Sequence, residues 1–483
     1  MFTALLDALL LSVLVTPAIG FIGRKIRREK VLVGAYITLI LASGFLIILT
    51  LYWEVLERSV EVIASSGPER ASIRIDGFSI FITVILFTVG ISSSIFSIKE
   101  IRRFGSTGFY TIYLAMIAAI VGVVFSGDLL TFFIFWEVMC LCSYALVTFH
   151  KERWEQIEAG YKYLIMSSSG SIIVLFALSF LYGLTGTLSI QHLAASLRDS
   201  QTNSLIYISL LMIIVGFGLQ AGMVPFHTWL PDAHMAASSS ISAVLSGVVV
   251  KIGIYGLIRL LLGIFLSTQN AWRMVMAVFA VSTMFIGNLS ALFQDDLKRL
   301  LAYSTIANTG YVLLGLSMES QRALAGSLLQ MMNHAVVKAL LFLCAGAFLF
   351  STRTRSLREI AGIKERMPLT SIAFVIGALA LATFPGLNVF WSEMMIITAG
   401  IESDMPILSF LMIINLVLSA VYALRMIYTV AMMKATSTSK NARRIPRLML
   451  LPILSLAAAS ILMGIYPSPF MSLAELGAAS LNP

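Results

Sequence analysis

Apolar runs of about 20 residues, the length that one bilayer-crossing helix requires, recur along this chain from its first residues to its last few. Backbone N–H and C=O groups inside lipid must be satisfied within the segment itself, so each run reads as an α-helix. No stretch is left for a soluble domain. Charge agrees: Asp, Glu, Lys and Arg make up 12% of 483 residues, about half the density of a soluble domain. The expected fold is an all-α polytopic membrane protein with about fourteen transmembrane helices.

The spans fall at approximately 3–23, 32–53, 76–98, 108–126, 128–148, 158–184 and 204–223, then 241–267, 273–293, 300–319, 326–350, 367–399, 405–433 and 447–468. The first run lacks a basic lead-in and a small-residue cleavage site, so it is read as a helix rather than a removable signal. Loop charge tests the count, because cytoplasmic loops collect Lys and Arg. Arg24, Lys25, Arg27, Arg28 and Lys30 follow the first span, Lys99, Arg102 and Arg103 the third, and Lys151 and Arg153 the fifth. Lys298 and Arg299 precede the tenth, Arg353, Arg355, Arg358, Lys364 and Arg366 follow the eleventh, and Lys434, Lys440, Arg443, Arg444 and Arg447 follow the thirteenth. Loops of the other parity hold scattered bases such as Arg58, Arg70, Arg74, Arg198 and Arg322. The net charge of +9 is therefore mostly an inner-face charge. Topology accounts for it without a nucleic-acid partner, anionic lipid would be drawn to it, and an even number of spans places both termini outside. The absence of a transit peptide fits a prokaryotic cell membrane.

Two spans are interrupted. Pro225 and Pro231 break the seventh in PFHTWLPDAH, and Pro385 with Gly386 breaks the twelfth in ATFPGLNVFWSE. Proline frees carbonyls that lipid cannot satisfy, so both breaks belong where protein or water lines them. Paired interruptions in two halves point to an inverted-repeat transporter with its ion path at the repeat interface. The breaks lie five spans apart, and an odd offset inverts the second unit.

Ionisable side chains inside the spans are the candidates for that path, because each costs several kcal/mol unless paired or hydrated. Glu137 sits near the middle of its span; a neutral carboxyl bonded to a neighbouring helix is the structural alternative, and Trp136 beside it reads as packing. Lys251 is too far from its span ends to snorkel easily. His334 and Lys338 are four apart, share one helical face, and could exchange a proton. Glu393 follows the second break, with Arg425 as its counter-ion or as a group reaching an interface. Lys162, near a span start, is a path member or a snorkelling surface lysine. His227, Asp232 and His234 in the first break are supporting groups, while Asp7 and Asp76, at span ends, are expected to be solvated. Cys140, Cys142 and Cys344 have no metal or disulfide spacing, so neither a metal site nor a redox cofactor is expected in this chain.

The segments GFGLQAGMVPFHTWLPDAH, ISAVLSGVVVKIGIYGLIR, QDDLKRLLAYSTIANTGY and NHAVVKALLFLCAG carry a resemblance. Over nearly its whole length the chain resembles the antiporter-like subunits shared by respiratory complex I, multisubunit (Mrp-type) sodium/proton antiporters and membrane-bound hydrogenases. The resemblance implies one transmembrane domain over 1–483, divided into N-terminal helices (1–106), two inverted five-helix units (107–267 and 268–434) and a C-terminal helix (435–483), with broken helices seven and twelve and a polar axis along the membrane plane. By that likeness Glu137 takes the helix-five glutamate position, Lys251 the helix-eight lysine, His334 and Lys338 the helix-eleven pair, and Glu393 the helix-twelve position. Gln220 stands where a helix-seven lysine is usual and Asn308 where a histidine is common, and neither amide carries charge near neutral pH. Glu137 thus lacks its usual cationic partner unless Lys162 substitutes. The chain ends soon after its fourteenth span, so the long lateral helix of one branch is not expected, which favours a middle or proximal place in a row of such subunits.

The function implied is a proton- or cation-translocating, itself non-catalytic, subunit of a redox-driven respiratory complex, linked to ferredoxin or NADH. Redox cofactors are expected in a peripheral arm, and sister antiporter-like subunits and lipid are expected beside it. The alternatives are a subunit of a stand-alone sodium/proton antiporter and a mainly architectural subunit with a degenerate path.

Overall fold

The computed structural model describes residues 2–58, 72–101, 105–149, 154–198 and 204–481, and Arg70, Arg102, Arg103, Lys151 and Arg153 of the charge pattern lie outside them. Helices α1 (Phe2–Lys25) and α2 (Glu29–Arg58) form a hairpin beside α3 (Gly77–Glu100) and α4 (Ser106–Val124). Then come α5 (Leu129–Val147), α6 (Trp154–Thr185), a short α7 (Ile190–Arg198), and the broken pair α8 (Ser204–Gln220) and α9 (Trp229–Ala236). A π turn, Leu245–Val249, joins α10 (Ser239–Val244) to α11 (Val250–Gly263). The second half continues with α12 (Gln269–Leu292), α13 (Leu297–Ser317), α14 (Gln321–Thr352), a broken pair α15 (Pro368–Leu381) and α16 (Asn388–Glu402), and α17 (Pro406–Ile427). Short α18 (Ser437–Lys440), α19 (Arg447–Ile465) and α20 (Ser468–Ala479) complete the described chain.

Eleven of these helical stretches are long and apolar enough to cross a membrane, among the described residues. The three other spans of the sequence reading are the two broken ones and α13, whose Lys298, Arg299, Asn308 and Thr309 lower its apolarity. Three helices had no counterpart in that reading, the four-residue α18 and two longer ones. Helix α7 is too short to span and turns Ile190, Leu193 and Leu197 inward, and α20 packs across α3 and α14. At the centre stands α14, 32 residues long and buried along nearly all of its length, flanked by α10, α13, α15, α16, α19 and α20.

Neighbouring side chains satisfy both breaks. Past α8, Gly222 takes φ +68°, a backbone conformation that a Cβ disfavours. The Trp229 indole donates to Leu219 O at 2.9 Å, Thr309 Oγ1 to Ala221 O at 3.3 Å, and Val224 N–H to Thr283 Oγ1 at 3.1 Å. Between α15 and α16, Thr383 (φ +59°) and Gly386 (φ +90°) turn the chain. The Asn388 and Asn333 side-chain amides donate to each other's backbone carbonyls, at 3.1 and 2.8 Å. Trp391 Nε1 donates to Gly464 O at 2.8 Å, and a Cβ on Gly464 would overlap Gly386 O, so α19 touches the break backbone to backbone.

One connection occurs twice, on opposite faces of the bundle. Leu129 N–H donates to Leu188 O at 2.9 Å and Ile190 N–H to Gly127 O at 3.3 Å; in the second half Leu297 N–H donates to Arg355 O at 2.9 Å and Leu357 N–H to Asp295 O at 2.8 Å. The side chains repeat as well. Thr185, Thr187 and Ser189 make the same local bonds as Thr352, Thr354 and Ser356. Asp128 caps α5 through Thr131 N–H as Asp296 caps α13 through Arg299 N–H.

Asp76 departs from expectation: it is buried, because Arg259 reaches it from α11 with two bonds, Nη1 to Oδ2 at 2.5 Å and Nη2 to Oδ1 at 2.9 Å. Tyr255 completes the clamp by accepting from Arg259 Nε at 3.1 Å and donating to Val124 O at 2.7 Å, so α3, α4 and α11 are tied at one point.

Breaking a buried pair by removing one partner costs about 3–5 kcal/mol, whereas replacing both is often neutral. Arg259→Met should therefore lower the melting temperature of the purified protein, and adding Asp76→Leu should restore most of it. Gly464→Ala should destabilise the protein by about 1–3 kcal/mol, as overpacking does, because the atoms in its way are backbone; the same thermal assay reads it.

Candidate functional site

Lys251 meets His334 where the π turn leaves a carbonyl free for a side chain. The Lys251 amine donates to Ser246 O at 2.5 Å and lies 2.6 Å from His334 Nδ1. Both groups are sealed from outside, at 3% and 2% exposure. A contact that short needs one donor and one acceptor, so the pair holds its shared proton on one nitrogen at a time. His334 Nε2 has no hydrogen-bond partner among the described residues.

One turn further along α14, Lys338 donates to Ser304 Oγ and to Leu301 O on α13. A continuous line of bonds leads on from there. Asn308 Nδ2 donates to Ser304 O at 2.9 Å, Gln330 Nε2 to Asn308 Oδ1 at 2.8 Å, and Gln330 Nε2 again to Glu393 Oε1 at 3.3 Å. Thr383 at the second break donates to Glu393 Oε2 at 2.6 Å. Lys338 and Glu393, opposite in ionised charge, are thus joined across α13, α14 and α16 by neutral groups. Asn308 is the middle of that line. Ser392 Oγ donates to Gln330 Oε1 at 2.5 Å, which fixes the amide's orientation.

The first half is built differently. Gln220, at the end of α8, accepts from Ser167 Oγ at 3.1 Å and donates to Tyr163 OH at 3.0 Å, and Tyr163 in turn shares a 2.7 Å bond with Ser143. The Tyr163 ring stacks on Trp229 with centroids 4.1 Å apart. This cluster is buried and uncharged. Glu137 lies outside it, half-buried on a side of α5 that also shows Ile134, Val138 and Leu141, and its Oε1 has no partner among the described residues. Lys162 does not replace the missing cation: it pairs with Glu158 at 2.9 Å and Asp232 at 3.1 Å, half-exposed at the basic face.

Arg425 is not the counter-ion of Glu393. Its guanidinium donates to Leu292 O at 2.8 Å and Gln294 O at 2.9 Å, closing the end of α12 on the basic face. Pro225, Pro231 and Pro385 fall at the observed breaks, Pro231 inside the short α9. His227 is half-buried there, and His234 is fully buried. Three members of the site have no charge to mark them in the sequence, Gln330, Ser304 and Tyr163; outside it, Lys298 is buried although it reads as a loop base. Gln330 had a signal, since it precedes His334 and Lys338 at the same four-residue spacing on one face. Among the described residues, no group of three or more His, Cys, Asp or Glu could hold a metal ion.

Residues 126–419 match the family described as NADH:quinone oxidoreductase/Mrp antiporter, transmembrane. A Na(+)/H(+) antiporter protein of Alkalihalophilus pseudofirmus, itself one of that antiporter's subunits, is 30% identical over 67% of this chain and 66% of that protein. A hydrogenase-4 component of Escherichia coli is 34% identical over 67% and 50%, and an F(420)H(2) dehydrogenase protein of Methanosarcina mazei, again one subunit of several, is 30% identical over 68% and 69%. The matched part thus spans half to about two thirds of these relatives. A chain of the membrane-bound sulfane sulfur reductase, an archaeal respiratory membrane complex, superposes with TM-score 0.91 at 27% identity over 99% of this chain and 97% of that one. The Mrp complex from Dietzia gives the same score at 21% identity, which speaks for the fold alone. The match covers more than half of the chain and both broken helices, and the chain belongs to the NADH:quinone oxidoreductase/Mrp antiporter transmembrane family of antiporter-like membrane subunits.

Proposed function

We propose that this chain translocates protons, or protons against sodium, as one subunit of a redox-driven membrane complex whose electron-transfer cofactors reside in partner subunits. The observation that carries the reading is the hydrogen-bonded line from Lys338 through Ser304, Asn308 and Gln330 to Glu393, beside the Lys251–His334 contact. A scaffold has no reason to bury two lysines and a glutamate against so large a desolvation cost.

The mechanism is electrostatic. A second proton arriving at the Lys251–His334 pair places two like charges on nitrogens 2.6 Å apart, which the pair cannot keep. The excess charge acts on Lys338, one helical turn away, and through the oriented amides on the protonation of Glu393. Gln330 and Asn308 carry no proton of their own near neutral pH; they hold the donor and acceptor ends in register while water completes the transfer. Glu137, half-buried on the flank of α5 and with its Oε1 unpartnered among the described residues, suits a boundary with a sister membrane subunit that supplies the charge Gln220 lacks.

The basic face is cytoplasmic by the charge rule, both termini lie outside, and the membrane is that of a prokaryotic cell. The duplicated connection on opposite faces supports 107–267 and 268–434 as units of opposite orientation. A stand-alone antiporter is the second reading, favoured by the likeness to a subunit of the Na(+)/H(+) antiporter of Alkalihalophilus pseudofirmus.

The test is ion movement in vesicles holding the assembled complex, with the redox partners active. Glu393→Gln should stop proton movement with assembly intact. Gln330→Leu removes the link between Asn308 and Glu393, and at about 1–3 kcal/mol for a lost buried bond it should slow movement roughly 10-fold or more. Unchanged movement in both variants would place the pump in a sister subunit. Movement that persists without redox substrate, driven by a sodium gradient, would favour the antiporter reading.

A further inference from the structure

The junction between α9 and α10 lies on the basic face and takes no part in the path described so far. Two helix ends meet there, the carbonyl end of α9 and the amide end of α10, and unpaired groups at such ends need partners. Each end is held by side chains of the opposite sign. Lys298 Nζ donates to Ala237 O at 2.8 Å and Arg355 Nη1 to Met235 O at 2.8 Å. On the other side the Glu100 carboxylate accepts from Ser239 N–H at 2.7 Å and Ser240 N–H at 2.9 Å. Arg355 is itself paired with Asp296 at 3.0 Å. Lys298 is 2% exposed, although it sits in the first turn of α13, where a lysine ordinarily reaches water.

His234 stands behind this junction, 1% exposed, with Nδ1 unpartnered among the described residues. Its ring stacks on Phe342 with centroids 4.7 Å apart. Phe342 follows Lys338 by four residues on α14, as Lys338 follows His334, so the three share one face at about 6 Å per step. The next position on that face is Gly346, where a Cβ would collide with Ser239 Cβ at the start of α10. One face of α14 therefore runs from the Lys251–His334 contact to the junction, with the His234 ring one step short of it.

We propose that the α9–α10 junction is the basic-face proton port of this chain, with Lys298 as its gate. While Lys298 Nζ stays on Ala237 O the port is closed. When the ammonium swings toward Glu100 or Asp296, the carboxylates that face it, water reaches His234 Nδ1. A proton taken there from bulk water passes by water to Lys338, and only N–H and O–H bonds form and break. Lys298 is a positioning residue, since it controls access to His234 and does not carry the proton. The proposal rests on the reading of the chain as a proton translocator.

The test uses the assembled complex in oriented vesicles. The thiol introduced by His234→Cys should react slowly with a small, membrane-impermeant thiol reagent, from the basic face only, and about 10-fold faster when Lys298→Met is added. Lys298→Arg, which can still donate to Ala237 O, should return the slow rate; a role limited to folding would not give that rescue at constant assembly. In redox-driven proton movement His234→Phe should cause a loss comparable to Gln330→Leu. Equal labelling with and without Lys298→Met, or full proton movement in His234→Phe while Gln330→Leu is impaired, overturns the port and leaves the path standing. Full movement in both His234→Phe and Gln330→Leu overturns the translocation reading itself.

Discussion

An unpaired backbone group in hydrocarbon costs several kcal/mol, and this chain interrupts two of its spans in the interior. The breaks persist because side chains from other helices take the freed groups: Trp229 and Thr309 at the first, Asn333 at the second, with α19 closing on it through Gly464. The polar side chains gather around these same places. Gln220 ends the helix before one break, and Glu393 is bonded to Thr383 at the turn of the other. The site exists where the fold has already brought donors and acceptors into lipid depth to serve the backbone.

The two polar clusters differ in kind. Around Gln220 the groups are Tyr, Ser and amide, packed against Trp229 and without charge. Around α14 the groups are Lys, His and Glu, linked by amides whose orientation is set by Ser392 and Asn308. An uncharged cluster around Gln220 and an ionisable one around α14 make the molecule asymmetric along the membrane plane, with Lys251, His334, Lys338 and Glu393 gathered between α11 and α16.

Charge in an apolar run is the most visible signal a membrane sequence has, which is why Lys251, His334, Lys338 and Glu393 could be named from it, and proline marked both breaks. What stayed hidden was hidden for physical reasons. Gln330 and Ser304 look like the neutral polar residues that membrane helices tolerate anywhere, and only their partners give them a role. Lys298 looks like one more base of the topology signal. Asp76 looked solvated because its partner, Arg259, is 183 residues away. For Lys162 and Arg425 the second of the two readings holds: neither joins Glu137 or Glu393, and both reach the basic face. Helices α7 and α20 are shorter than a span, so a search for span-length runs passes over them.

The doubled Thr-x-Thr-x-Ser connection bears on how the molecule can move. Each copy staples the start of one helix to the end of its neighbour, α5 to α6 on one face and α13 to α14 on the other, by paired backbone bonds and a side-chain cap. Two helices tied in this way at one end are constrained to shift together, so a displacement of α5 or α13 is carried into α6 or α14.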